Sequence, residues 1–141
     1  MSKDIRNAAI SRLARREYSK MELYQYLVKK FDANQVDDEL LWLANEGLQS
    51  DQRFTESFIR NSIMRGRGPM RIKDELRSRG ISSGMIDDIF EEMEIDWFAV
   101  MQQVYSKKYT SDPDCQKERA CRLRFLQQRG FGFDLIRKLL N

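Results

Sequence analysis

The chain has 141 residues, of which 41% are hydrophobic and 33% are charged, which allows a thin core and wide solvated faces. It contains no histidine, which removes the commonest general base and the commonest metal ligand. No apolar run reaches the roughly 18 residues of a membrane-spanning helix. Two prolines and seven glycines among many strong helix formers predict an all-α protein. The missing histidine makes an enzyme less expected without excluding carboxylate or lysine chemistry, and we expect no enzyme, cofactor, metal or membrane.

Three helices are predicted in residues 1–49. The first carries one apolar stripe, at Ile5, Ala9 and Leu13. Ser19 and Glu22 form a capping box that opens the second helix, and Asp32 caps the third, which ends near Gly47. The opening residues show neither the apolar core nor the cleavage site of a secretory signal, so we expect a cytoplasmic protein.

Residues 50–96 predict a second set of three helices. Asp51 opens the first helix, and Gly66 and Gly68 end it. Pro69 suits the first position of the next helix, which stops at Gly80. The third helix carries apolar residues at Ile86, Ile89, Phe90 and Met93.

Residues 97–141 predict a third set with a longer internal loop. The first helix begins with Trp97, Val100 and Val104, and the loop follows around Pro113. A helix from about Cys115 to Arg129 precedes a short helix through Ile136 and Leu139. The six-residue spacing of Cys115 and Cys121 disfavours a local disulfide, as expected in a reducing cytoplasm.

The three sets align with one another at an offset of 50 residues. Four columns are apolar in all three: Tyr26, Leu76 and Leu126; Phe31, Ile81 and Phe131; Val36, Ile86 and Ile136; and Leu40, Phe90 and Leu140. Over the fifteen columns that begin at residues 26 to 40, about one such three-way match is expected by chance. We therefore predict three tandem three-helix repeats, about nine helices in an elongated, curved array, because such short helices bury little surface alone. Six of these side chains are predicted to be buried: Phe31, Ile81, Phe131, Val36, Ile86 and Ile136.

Positive charge is concentrated toward the end of the chain. Residues 1–49 carry eight basic and eight acidic residues, and residues 50–96 carry eight and ten. Residues 97–141 carry nine basic residues against four acidic ones. In the second repeat the arginines fall in the first two helices, whereas the third helix is acidic, so one module offers surfaces of both signs.

Clustered cations are the candidate contacts with DNA phosphate or with acidic protein groups. The segment Met64–Arg71 combines two glycines with three arginines whose guanidinium groups can pair with phosphate or carboxylate. On the penultimate helix, Arg119, Arg122 and Arg129 form a stripe. The full set is Arg60, Arg65, Arg67, Arg71, Lys73, Arg77, Arg79, Lys117, Arg119, Arg122, Arg124 and Arg129. Alternatively, these residues form solvated helix faces, a basic turn between helices, or a clamp against the acidic third helix of the second repeat.

Other motifs favour structure over chemistry. Asp37-Asp38 and Asp87-Asp88 occupy matching columns without supporting metal ligands, which indicates a solvated face. Phe131 falls in an apolar column, so it is expected in the core and not in a base-stacking site. No nucleophile and base pair is apparent, which leaves no catalytic candidate.

The chain resembles the RecX family of recombinase regulators over nearly its whole length. The matching residues are Ala14-Arg15-Arg16-Glu17-Tyr18-Ser19 with Glu22-Leu23; Asn45-Glu46-Gly47-Leu48 with Asp51, Arg53 and Phe54; Arg67-Gly68-Pro69 with Arg71-Ile72 and Glu75-Leu76; Arg79-Gly80-Ile81; and Phe125-Leu126-Gln127-Gln128-Arg129-Gly130-Phe131. One departure is Lys30-Phe31, where the family often has glycine before the apolar residue.

The resemblance implies a regulator that binds the RecA recombinase filament on DNA and inhibits its strand exchange and nucleotide hydrolysis. It also implies roles in recombination, DNA repair and the SOS response, with no catalytic residues. We expect a monomer that binds single- or double-stranded DNA weakly by itself. The alternatives are a stand-alone DNA-binding protein with helix-turn-helix-like units and, less in keeping with the missing histidine, an enzyme.

Overall fold

The computed structural model describes residues 2–140, and over that range it contains nine α-helices, no strand and 72% helix. The helices are α1 Lys3–Leu13, α2 Lys20–Leu27, α3 Ala33–Asn45, α4 Asp51–Met64, α5 Pro69–Ser78, α6 Ser83–Met93, α7 Trp97–Lys108, α8 Gln116–Arg129 and α9 Phe133–Leu139. The predicted all-α fold of nine helices is confirmed. None of the helices in this range is long and apolar enough to cross a membrane.

Helix boundaries follow the capping signals in the sequence. The Ser19 hydroxyl accepts from the Glu22 N–H at 3.1 Å, and the Ser19 N–H donates to Glu22 Oε1 at 3.0 Å, which completes the capping box at the start of α2. The Asp32 carboxylate accepts from the third N–H of α3. Pro69 is the first residue of α5, and Gly130 ends α8 in the left-handed region with φ +104°.

The chain divides into two compact units, which we call the N-terminal and C-terminal units. The N-terminal unit takes the chain as far as Phe58 together with Leu76–Ile89, and the C-terminal unit takes Ile59–Glu75 and the chain from Phe90 onward. Helices α4, α5 and α6 contribute residues to both units. The repeat boundaries at residues 49/50 and 96/97 stay a prediction.

Each unit has its own apolar core. In the N-terminal unit, α1, α2 and α3 pack around Ile5, Ala9, Leu23, Leu27, Val36, Leu40 and Leu43. In the C-terminal unit, α7, α8 and α9 pack around Met101, Leu126, Phe131, Ile136 and Leu140. At about 25 cal/mol per Å² of buried apolar surface, these clusters are the main stabilising term in both units.

Of the six side chains predicted to be buried, all but one are buried. Ile81, Phe131, Val36, Ile86 and Ile136 are all buried, as predicted. The prediction for Phe31 is wrong, because its side chain is only half-buried at the edge of the N-terminal core.

Turn geometry explains the exception at Phe31. In the later repeats a glycine with positive φ allows a Schellman turn, in which Ile81 N–H bonds Leu76 O and Phe131 N–H bonds Leu126 O. This turn directs the next side chain into the core. The first repeat has Lys30 in place of glycine, and Phe31 N–H bonds Leu27 O, four residues back instead of five.

Candidate binding surface

Two glycines let two loops of the C-terminal unit cross at van der Waals distance. Gly68 N–H donates to Arg129 O at 2.7 Å, and Met70 N–H donates to Gly130 O at 3.0 Å. A Cβ added at Gly68 would lie 2.5 Å from the Gly130 carbonyl carbon, and one added at Gly130 would lie 2.5 Å from Arg71 Cβ. Gly68, in the segment Met64–Arg71 that we call the basic turn, therefore serves loop packing, and its contacts with the other loop fix the backbone next to Arg67.

The arginines of this turn have different surroundings. Arg65 is exposed, whereas Arg67 and Arg71 are half-buried and lie 3.8 Å and 3.7 Å from Glu75 Oε1. Surface ion pairs at these distances contribute about 0–1 kcal/mol, so both guanidinium groups stay available to an incoming anion. Arg129 Nη1 donates to Arg65 O at 3.1 Å, which ties the end of α8 to the same turn.

The C-terminal unit holds ten of the twelve candidate cations. The N-terminal unit holds Arg77, which is exposed, and Arg79, whose Nε lies 3.5 Å from Glu22 Oε2. In the C-terminal unit Arg60 is exposed, and Lys73 Nζ lies 4.9 Å from the ring centre of Phe90. By this division two of the twelve candidates belong to the N-terminal unit.

The predicted stripe on α8 is wrong at Arg122, because the side chain of Arg122 is only 3% exposed. Its Nη1 donates to the Tyr105 hydroxyl at 2.6 Å and to Ser111 O at 2.7 Å, and its Nη2 donates to Glu118 Oε1 at 2.5 Å. Such a buried, hydrogen-bonded guanidinium joins α7, the following loop and α8. Arg122 is thus a structural clamp and no polyanion contact, and its partners are not the acidic residues of α6.

Three further α8 cations lie at the surface. Lys117, Arg119 and Arg124 are exposed. Arg119 donates to Leu140 O, and Arg124 Nη2 donates to Cys121 Sγ at 3.3 Å. The pKa of Glu118 is lowered by the Asp114 N–H, which donates to its carboxylate, and by the Arg122 guanidinium.

A surface that we call the basic groove lies beside the basic turn in the C-terminal unit. Its lining comes from the end of α4, from α7 and from α8, and encloses about 550 Å³. Four cations line it: Arg65, Lys107, Lys108 and Arg129. Lys107 and Lys108 are not among the cations predicted from the sequence, although two adjacent lysines in the last turn of a helix are a signal that the sequence contains.

No metal or redox site accompanies these cations within the described residues. Residues 2–140 contain no group of three or more Cys, Asp or Glu side chains arranged to hold a metal ion. Cys115 and Cys121 are free, exposed thiols. The arrangement offers the chemistry of anion binding, because guanidinium and ammonium groups pair with phosphates and carboxylates.

Two family models match consecutive stretches of the chain. One is described as RecX, second three-helix domain, and matches residues 50–88; the other is described as RecX, third three-helix domain, and matches residues 94–140. The regulatory protein RecX of Halorhodospira halophila is 41% identical over 138 residues, covering 96% of this chain and 86% of that protein. The regulatory protein RecX of Ectopseudomonas mendocina is 40% identical over 139 residues, covering 97% and 93%.

Solved structures have the same fold. The crystal structure of RecX from Lactobacillus salivarius superposes with a TM-score of 0.77 at 19% identity, covering 97% of this chain and 92% of that one. A second crystal structure of regulatory protein RecX gives a TM-score of 0.74 at 21% identity, covering 97% and 71%.

Fold and site together define an all-helical protein of repeated three-helix domains, with ten of the twelve candidate cations in one unit. Identity near 40% over almost the whole chain sharpens that class to one family. The chain belongs to the RecX family of regulatory proteins.

Proposed function

We propose that this protein binds the RecA recombinase filament on DNA and inhibits its strand exchange and ATP hydrolysis, and so modulates recombination, repair and the SOS response. Similarity to proteins named regulatory protein RecX, over 96% of the chain, carries the proposal. In this proposal the protein acts by binding alone, as a cytoplasmic monomer of three repeats, without catalytic residues or cofactor.

The predicted candidate cations that are exposed or half-buried in the C-terminal unit are the proposed contacts. They are Arg60, Arg65, Arg67, Arg71, Lys73, Lys117, Arg119, Arg124 and Arg129. Several weak anion contacts along a repeating filament gain affinity through effective concentration. A filament offers DNA phosphates and protein carboxylates at regular spacing, and the same cations can meet either group.

The test is ATP hydrolysis by purified RecA on single-stranded DNA, measured while this protein is titrated in. We expect hydrolysis to fall, and the protein to co-sediment with filaments far more than with DNA or RecA alone. Unchanged hydrolysis together with no co-sedimentation would contradict the proposal. A protein heated beyond its unfolding transition is the control for non-specific addition of protein.

The exposed arginines also favour a second candidate, stand-alone DNA binding. That function predicts tight binding to naked DNA with a steep dependence of affinity on salt, because each neutralised phosphate releases counterions. The proposed function predicts weak binding to naked DNA and strong binding only when RecA is present. Measuring both affinities over a salt series separates the two candidates.

A further inference from the structure

The basic groove of the C-terminal unit is amphipathic. Its apolar lining runs from Ile63 and Met64 at the end of α4 to Val100 and Val104 on α7. Val100 and Val104 lie one helical turn apart, so the groove follows the axis of α7. Arg65, Lys107, Lys108 and Arg129 rim this floor.

Charge in the groove has one sign only. Four cations line it, and no carboxylate does so among the residues that the structure describes. Lys107 and Lys108 are both exposed at the end of α7. Four like charges close together repel one another in the free protein, and an acidic ligand relieves that repulsion.

The apolar lining of the groove, which we call its floor, includes one unusually exposed side chain at its edge. Met64 is 83% exposed, although the other apolar residues of the groove are at least half-buried. Methionine at a surface groove adapts its shape to apolar side chains of a partner. A volume of about 550 Å³ is within the usual range of about 300–1,000 Å³ for ligand pockets.

We propose that the basic groove is a docking site for an acidic amphipathic helical segment of a partner protein. Aliphatic side chains of that segment, spaced one turn apart, pack on Val100, Val104 and Met64. Its carboxylates pair with the cations of the rim. Helix-in-groove recognition of this kind uses anchors at i, i+3 or i+4, and i+7. The site goes beyond the proposed function, because its chemistry is independent of which protein carries the segment.

One aromatic side chain, Phe125, lines the groove among the residues described, and its surroundings favour a peptide over single-stranded nucleic acid. Lys108 Nζ lies 4.3 Å, and the Arg129 guanidinium carbon 5.3 Å, from the ring centre of Phe125. Tyr109 approaches the same ring edge-on, with ring centres 5.8 Å apart. A base needs an open aromatic face on which to stack, and Phe125 already carries two cations and an aromatic neighbour.

Three fluorescein-labelled probes test the site with the full chain. One is a synthetic acidic peptide with leucines at i, i+4 and i+7; the second has the same charges with serine in place of leucine; the third is oligo(dT). Binding is measured by fluorescence anisotropy. We expect the leucine peptide to bind at least about tenfold more tightly than the serine peptide, because only the former fills the apolar floor.

Two variants of equal charge locate the binding. Lys107→Glu with Lys108→Glu should weaken binding of the leucine peptide by at least about tenfold, because two attractive pairs become repulsive. Lys29→Glu with Lys30→Glu changes an adjacent exposed pair in the N-terminal unit and should leave peptide binding within about twofold. Met64→Ser, which alters an exposed side chain, should weaken binding of the leucine peptide but not of the serine peptide.

Equal binding of the two peptides would overturn the proposal, and so would equal losses in the two lysine variants. Tighter binding of oligo(dT), lost in the Lys107→Glu, Lys108→Glu variant, would assign the groove to nucleic acid instead. Circular dichroism establishes that each variant is folded. If the double variant is unfolded, Met64→Ser with the two peptides decides the question. None of these readouts contains RecA, so they succeed or fail separately from the filament assay.

Discussion

The two compact units use their cations in different ways. In the N-terminal unit most guanidinium groups with described contacts lie against a carboxylate or an aromatic ring of the same unit. Cations of the C-terminal unit make such contacts too, as Lys108 and Arg129 do with Phe125, but there one arginine is buried as a clamp and four cations line a single groove that no described carboxylate lines. The count of basic residues in a region is therefore a poor guide to binding until the cations that hold the fold are subtracted.

Arg6 shows the structural use of charge in the N-terminal unit. Its Nε donates to Glu39 Oε2 at 2.8 Å, and its guanidinium carbon lies 3.5 Å from the ring centre of Trp42. The guanidinium carbon of Arg12 likewise lies 3.7 Å from the ring centre of Tyr26. Hydrogen bonding to Arg12 lowers the pKa of both Tyr18 and Tyr26. Each of these cations is engaged with its own unit.

The largest effect on stability is predicted for a substitution that breaks the loop crossing of Gly68 and Gly130, which supports the basic turn. Gly130→Ala should cost at least about 3 kcal/mol of stability, because the new Cβ meets Arg71 Cβ at 2.5 Å and the backbone has φ +104°. Urea unfolding measures the loss. Gly84→Ala is the control, because an added Cβ there meets nothing within 4 Å, and it should not lower stability. Equal stability of the two variants would contradict the crossing.

Arg122 and Arg124 give the sharpest contrast within one helix. Arg122→Met should lower the melting temperature by several degrees, because Tyr105 and Glu118 lose a hydrogen-bond partner. Arg124→Met, two residues away at the surface, should change it little. Differential scanning calorimetry compares the two. A larger loss from Arg124→Met would reverse the assignment of clamp and surface residue.

Glu39 tests whether the N-terminal unit depends on its internal ion pair. Glu39→Gln should cost about 1–3 kcal/mol at neutral pH, because the buried Arg6 contact loses its charge. The hydrogen bond from Arg6 lowers the pKa of Glu39 below its ordinary value of 4.5. Its contribution is therefore present above pH 4.5 and is lost as pH falls through the lowered pKa.

The measurement is thermal unfolding of the parent and the Gln variant from about pH 7 to about pH 3. The gap between their melting temperatures should be largest at neutral pH and should narrow toward the acidic end. The exposed Glu46→Gln variant should show no such gap. A gap that widened toward low pH would have the wrong sign for a carboxylate with a lowered pKa.

The smallest expected effect on stability belongs to the basic turn. Changing Arg65, Arg67 and Arg71 together to alanine should cost about 1 kcal/mol or less, because only weak ion pairs to Glu75 are lost. Filament binding should weaken, and its salt dependence should flatten as anion contacts disappear. Co-sedimentation over a salt series measures both. Unchanged binding at every salt concentration would remove these three arginines from the contact surface.

Local signals explain why the sequence predicts the helices so well. The Ser19–Glu22 capping box, Pro69 and Gly130 act within one turn of a helix, so their effect on the backbone is visible in the residue order alone. The aligned apolar columns predict most of the buried side chains for a similar reason, because one face of each helix must be buried. Phe31 departs because its burial depends on a left-handed glycine that the first repeat lacks.

Features made by distant segments were not predictable in this way. The burial of Arg122 is decided by Tyr105 and Ser111, neither of which lies on the same helix. The crossing of Gly68 and Gly130 joins residues 62 positions apart, and helical periodicity does not reveal it. The basic groove likewise takes its lining from three separate helices, so no single window of the sequence contains its charge pattern.

The central claim is that exposed cations of the C-terminal unit make the contacts that inhibit RecA. Inhibition of RecA by two variants with matched charge reversals tests it most directly. One variant changes Arg65, Lys117 and Arg124 to Glu in the C-terminal unit, and the other changes Arg15, Lys29 and Lys30 to Glu in the N-terminal unit; all six side chains are exposed. RecA ATP hydrolysis on single-stranded DNA is measured against the concentration of each. We predict at least about tenfold weaker inhibition by the first variant and near-parental inhibition by the second. Equal loss in both, or loss in the second alone, would contradict the central claim.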